Sequence, residues 1–127
     1  MDNLSSSEVN TINFISRMIH QNNVEADWWT DLVTGERKER NTGELLMLCV
    51  SELAEAMEGH RKQLPDDKLP ERSMFEVELA DTLIRIFDIA GAYQLDLGGA
   101  IRDKLSFNAS REDHRLENRR AVNGKKY

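Results

Sequence analysis

Two stretches of this chain repeat apolar residues at the spacing of an α-helix. No other feature limits the fold as much. At 100° per residue, Leu45, Leu46, Cys49, Val50, Leu53, Ala54, Ala56 and Met57 cover roughly 200° of a helical wheel. Phe75, Val77, Leu79, Ala80, Leu83, Ile84, Ile86, Phe87 and Ala90 cover most of a second one. Arcs this wide predict two central helices, each packed on more than one side. The polar residues are squeezed into what remains. Ser51, Glu52, Glu55, Glu58 and Lys62 share one narrow arc with Leu48, and Glu78, Asp81, Arg85 and Asp88 share the other. These stripes are expected to lie in narrow channels between helices.

Helix starts are marked three times by a polar residue followed, three positions on, by glutamate: Ser5-x-x-Glu8, Asn41-x-x-Glu44 and Ser73-x-x-Glu76. Val9, Ile12, Ile15 and Ile19 follow the first at helical spacing, which predicts a helix over about 7–22. The second opens a helix running to about Lys62, and the third one over about 74–93. Asp96 can cap a fourth over about 97–109. Residues 23–41, with Trp28, Trp29 and Gly35, lack clear periodicity and read as a loop. Both prolines, Pro65 and Pro70, fall in the connection Gln63–Glu71. Beyond Ser110 the chain is polar and basic. With no strand signal and no repeat, the expectation is one all-α domain over 1–127, a bundle of four main helices completed by oligomerisation.

Composition narrows the function classes. Charged residues are 31% and aromatics 6%, which suits helices rather than a β-sandwich. Cys49 is the one cysteine, so no internal disulfide forms. Its place in an apolar pattern reads as a small buried hydrophobe rather than a reactive thiol. The N-terminus lacks the basic start and apolar run of a signal peptide, and no stretch approaches a membrane span. A soluble, reducing, cytoplasmic setting with no membrane partner is expected. Residues 1–101 hold 19 acids and 9 bases, a net of −10, whereas residues 102–127 hold 4 acids and 8 bases, a net of +4. The acidic body argues against nucleic acid as the main partner. The basic end can fold over a bound anion, or simply be a solvated terminus.

Glu52 and Glu55 stand three apart on one expected helix, and Glu78 and Asp81 on the other. Side chains at that spacing are neighbours, about 5–6 Å apart at Cβ. Facing stripes would bring four carboxylates together, and a hard divalent cation such as Mg²⁺ would relieve their repulsion. The plainer reading is two exposed acidic faces, with Asp81 paired to Arg85 and Glu58 to Lys62. A di-iron carboxylate bundle needs Glu-x-x-His pairs. None of His20, His60 and His114 stands three residues after an acid, so that use is discounted.

The order Glu52-x-x-Glu55, 22 residues, Glu78-x-x-Asp81 resembles the MazG-like nucleoside triphosphate pyrophosphatases, members of the all-α pyrophosphatase superfamily. Residues 51–59 are similar to the first signature helix of that family and residues 78–85 to the second. Lys104-x-x-x-Asn108-x-x-Arg111 resembles the basic motif that follows, and Gly124-Lys125-Lys126 its basic end. The likeness covers about residues 42–127, with the signature region at about 42–111 and a basic tail at 112–127. It is nearest to the small phage and bacterial forms. Ser51 departs from the pattern, which often has glutamate there, so a second metal is less well supplied.

The resemblance implies hydrolysis of a nucleoside triphosphate between its α- and β-phosphates, giving a monophosphate and pyrophosphate. The cofactor would be Mg²⁺, with Mn²⁺ as a substitute, and the assembly a homodimer or dimer of dimers. Glu52, Glu55, Glu78 and Asp81 would bind metal, with one of them, Glu55 first, orienting or deprotonating the water instead. Lys104, Asn108 and Arg111 would contact phosphate and Lys125 would close over it. The plain alternatives are helix-end cations and, for Asn108, a helix C-cap. Of Trp28 and Trp29, one would stack a nucleobase and the other anchor the loop. Arg61 could also reach a phosphate. Two neighbouring readings stay open: a dUTPase- or dCTPase-like enzyme, and a catalytically silent module that binds nucleotide or a partner.

Overall fold

The computed structural model describes residues 1–127. The chain is all-helical, with α1 at Ser6–Glu25, α2 at Thr42–Lys62, α3 at Met74–Ala92, α4 at Leu97–Ser110, a 3-10 turn at Glu112–His114 and α5 at Leu116–Arg120. No strand forms, and no helix is long and apolar enough to cross a membrane. The expected four helices are all present. Helix α1 runs on to Glu25, and the basic terminal segment folds into the 3-10 turn and α5.

Helices α1 to α4 each start where a side chain takes an unpaired backbone N–H. Ser5 and Glu8 form a reciprocal box: the Ser5 N–H donates to Glu8 Oε2 at 2.6 Å and the Glu8 N–H to Ser5 Oγ at 3.3 Å. Asn41, Ser73 and Asp96 accept from the N–H groups of Glu44, Glu76 and Gly99. At Ser73 the box is half-made, because the Glu76 carboxylate turns to Arg72 at 2.9 Å instead. Helices α1, α2 and α3 all end the same way. Asp27, Gln63 and Gln94 adopt left-handed backbone (φ 64°, 53° and 54°). The next N–H reaches back to close the last turn, from Trp28 to Asn23, Leu64 to Gly59 and Leu95 to Ala90.

The chain divides into two compact units, Ile15–Leu95 and the terminal unit of Met1–Phe14 with Asp96–Tyr127. In the Ile15–Leu95 unit, α2 and α3 pack along each other. Gly59 abuts Met74, Glu52 binds Arg85, and the Thr42 and Tyr93 hydroxyls share a hydrogen bond. Low numbers on one helix meet high numbers on the other, so the pair is antiparallel. An isolated bridge between Pro65 and Ser73 closes the connection. Helix α3 also meets α1 closely: a Cβ on Gly91 would lie 2.5 Å from the Ser16 carbonyl oxygen. In the terminal unit, Gly98 of α4 lies as close to the Val9 carbonyl of α1, and Asn13 receives the Gly98 N–H at 2.9 Å.

The wide apolar arcs are only partly covered. Helix α2 buries Leu45, Cys49 and Ala56 but leaves Leu46, Val50, Leu53 and Met57 about half exposed. On α3, Phe75, Leu79, Leu83 and Ile86 are exposed as well. The expectation that both helices are packed on more than one side is met by α3, which lies against α2 and α1, and not by α2 within one chain. One face of each meets the other helix, and an apolar seam on each stays open.

Candidate metal centre

The antiparallel pairing sets the middle of α2 against the first turns of α3, so the two acidic stripes meet. Oxygen atoms of Glu52, Glu55 and Glu78 all lie within 4.8 Å of one another. Their exposure is graded: Glu78 is buried, Glu52 half-buried and Glu55 exposed. Glu78 is 8% exposed, and its Oε2 has no hydrogen-bond partner. A buried carboxylate oxygen without a partner is costly and calls for a proton or a cation. Burial first, then hydrogen bonding with Glu52 and the charges of Glu55, Glu52 and Asp81, push the Glu78 carboxyl up to about 7.

Asp81 is not part of the 4.8 Å set. It stands one turn further along α3, where burial and then the Glu52 charge raise its pKa. Asp66 adds to this, while Arg85 and Lys68 oppose it. The connection thus places two more charged groups, Asp66 and Lys68, beside the stripe. Asp66 is itself buried, and its carboxylate accepts from the N–H groups of Lys68 and Leu69. Ser51 brings nothing to the cluster, since its hydroxyl donates to the Leu48 carbonyl at 2.7 Å.

Arg85 does not pair with Asp81. Its Nε donates to Glu52 Oε1 at 2.7 Å, across the helix pair. The Glu58–Lys62 pair does form, at 2.5 Å on the helix surface, with Arg61 3.7 Å from the same carboxylate. That contact holds Arg61 at the exposed end of α2.

The donor set suits Mg²⁺ or Mn²⁺. All three close groups are carboxylates, which hard cations prefer, and no histidine or thiolate joins them. The partnerless Glu78 oxygen is a buried acceptor that such an ion would satisfy. Cys49 lies nearby without competing. Its thiol is buried, its pKa is raised by that burial, and its Sγ faces the Leu45 carbonyl.

The two tryptophans have separate fates. Trp29 is 6% exposed. Its Nε1 donates to both oxygens of buried Asp88, at 3.1 and 3.2 Å, and His20 Nδ1 meets the same carboxylate at 2.8 Å. The His20 ring packs edge-on to the indole, and the Arg37 and Arg40 guanidiniums lie 5.7 and 5.2 Å from its centroid. Of the two tryptophans, Trp29 is thus the buried one, its indole held by Asp88 and unavailable to a nucleobase. Trp28 is 65% exposed and keeps a free ring.

The other residues singled out belong to the terminal unit. Lys104 lies over the Phe107 ring at 4.8 Å. Arg111 is held by Asp113 through two bonds, at 2.8 and 2.6 Å. Asn108 sits inside α4 and not at its C-cap, which is Arg111. Its Oδ1 is buried without a partner. Asn108 and Lys125 share the wall of a cavity of about 610 Å³ with His114, Arg115 and Arg119.

Sequence reasoning missed the Asp88–Trp29–His20 knot, the Arg85–Glu52 pair and the Arg115–Arg119 lining. Asp88 offered a signal, because an acid on a mostly apolar helix needs a donor, and Trp29 is one. No family model, curated protein or solved structure matches this chain.

Proposed function

We propose that the chain is a divalent-metal-dependent nucleoside triphosphate pyrophosphohydrolase of MazG-like type. It would cleave between the α- and β-phosphates to a nucleoside monophosphate and pyrophosphate. One observation carries this reading: three carboxylates on two facing helices converge within 4.8 Å, and one of them, Glu78, has a buried oxygen with no partner. The order of those carboxylates along the chain supplies the family likeness, and with it the reaction.

In this reading Glu52, Glu55 and Glu78 hold Mg²⁺ or Mn²⁺, and Asp81 supports the site from the next turn. The bound ion supplies the positive charge without which a triphosphate could not approach so acidic a surface. Glu55 is the most exposed of the three and so the one placed to orient or deprotonate the attacking water. Glu78 must give up its proton when the ion arrives. Phosphate contacts by Lys104, Asn108, Arg111 and Lys125 rest on the family likeness, as does stacking of a nucleobase on exposed Trp28. A homodimer or dimer of dimers is part of the same proposal. The open seams on α2 and α3 support it, because patches of adjacent large apolar side chains mark association surfaces.

The test is a panel of all common ribo- and deoxyribonucleoside triphosphates with Mg²⁺, assayed for pyrophosphate and orthophosphate separately. Pyrophosphate with a matching monophosphate is the expected result. Orthophosphate alone would overturn α–β cleavage, and no turnover of any nucleotide would overturn the enzyme reading.

A further inference from the structure

One cation stands at the edge of the carboxylate cluster. Arg85 lies two turns along α3 from Glu78, on the same stripe. It reaches across to α2 and binds Glu52 through Nε alone, at 2.7 Å. Its Nη groups make no hydrogen bond within the chain, and its side chain is 39% exposed. Glu52, by contrast, is 12% exposed at the side chain. So the carboxylate is held in place by packing, while the guanidinium can swing outward at little cost. The charge on Arg85 is also felt by Asp81 and Cys49, which places it at the edge of the cluster.

Glu52 is therefore claimed twice: by the guanidinium now bound to it and by any ion shared with Glu55 and Glu78. A carboxylate oxygen bound by a guanidinium is a poor metal ligand until that bond is broken. The two open Nη groups form the planar fork that matches phosphate oxygens.

We propose that Arg85 is the resident counter-ion of the cluster. A divalent ion displaces it from Glu52, and the freed guanidinium then contacts the phosphate group that the ion attracts. This rests on the metal-site reading above and adds a residue to it. Arg85 would hold the acidic cluster together when no metal is present. It would tax metal affinity by the fraction of time it occupies Glu52, and return charge to the site when substrate arrives. If it occupies Glu52 about 90% of the time, removing it tightens the apparent metal affinity about tenfold.

The experiment titrates Mn²⁺ by calorimetry into the full-length protein, Arg85→Gln and Arg85→Lys. Inorganic pyrophosphate is then titrated with Mn²⁺ saturating. The expected result is Mn²⁺ binding about fivefold to tenfold tighter in Arg85→Gln than in wild type, with pyrophosphate binding at least about tenfold weaker, which corresponds to one charge-assisted contact. Arg85→Lys should fall between, since it keeps the charge but loses the fork. A role confined to packing would not tighten metal binding. Equal or weaker Mn²⁺ binding in Arg85→Gln overturns the displacement, and unchanged pyrophosphate binding overturns the contact. If Arg85→Gln does not fold, Arg85→Lys carries the same comparison, and wild-type values in both titrations overturn the proposal. If neither wild type nor variant binds Mn²⁺, the metal site itself is refuted and this inference falls with it. Binding by wild type with no change in the variants refutes Arg85 alone.

Discussion

Glu78 is the residue on which most of the chemistry turns. It is buried with an oxygen unpartnered, and burial with the neighbouring carboxylates pushes its carboxyl up to about 7 from an ordinary value of 4.5. Between those two values the folded protein keeps a proton that the unfolded chain has lost. Stability of the metal-free protein should therefore fall as pH rises from about 4.5 to about 7 and then level off. Thermal melts in chelator across that range check it, and a rise in Tm over the same interval contradicts it. Glu78→Gln mimics the protonated form, so this variant should lose most of that slope. Added Mg²⁺ should stabilise the wild type more at pH 8 than at pH 6, because binding competes with the proton. At Asp88 the argument is different. Its carboxylate satisfies Trp29 and is satisfied by it, so Trp29→Phe removes one donor from a buried charge. That change should cost roughly 1–3 kcal/mol by chemical denaturation and should leave Mg²⁺ binding intact. Loss of Mg²⁺ binding without loss of stability would show that the knot serves the metal site instead.

At the scale of elements, helix starts were legible from their caps and the ends of α2, α3 and α4 to within a residue, but the end of α1 was not. Ser5, Asn41, Ser73 and Asp96 announce themselves because their side chains do the capping. The ends of α1 to α3 use a left-handed residue that is usually glycine, but here is Asp27, Gln63 or Gln94. Pro65, Pro70 and Asp96 bound α2 and α3 all the same, but nothing of the kind follows α1, which is accordingly read short of Glu25. A left-handed non-glycine residue costs roughly 1 kcal/mol, so Gln63→Gly and Gln94→Gly should each stabilise by up to about that amount. A lower melting temperature in both would show that these side chains do more than cap. The carboxylate stripes were legible through the helical wheel, and Glu52, Glu55 and Glu78 do converge. What periodicity could not supply was the choice of partner across the helix pair. Arg85 could be read as reaching Asp81 one turn away, yet the antiparallel packing offers it Glu52. Trp28 and Trp29 are adjacent letters, and only the packing of α1 and α3 decides that the second is buried.

For the whole molecule, the open seams are the main consequence. Leu46, Val50, Leu53 and Met57 recur every three to four residues along α2, the rhythm of a helix that packs against another. Within one chain nothing covers them, and about half of each side chain faces solvent. The seams support the proposed homo-oligomer, and Leu53→Glu should then shift the protein to a smaller species in light scattering after size exclusion. A wild type that is monomeric at micromolar concentration would contradict the oligomer. The sequence could show that the apolar arcs were too wide for one partner, but not which side of each helix would stay open.

The central claim is that Glu52, Glu55 and Glu78 together hold a divalent ion. Calorimetric titration of Mg²⁺ into wild type and Glu78→Gln at pH 8 tests it most directly. At that pH the Glu78 carboxylate of the wild type is ionised, and the variant cannot be. At least one Mg²⁺ should bind per wild-type chain, and binding should be lost in a variant that remains helical and at least as stable without metal. Equal Mg²⁺ binding by both proteins, or none by the wild type, would contradict it.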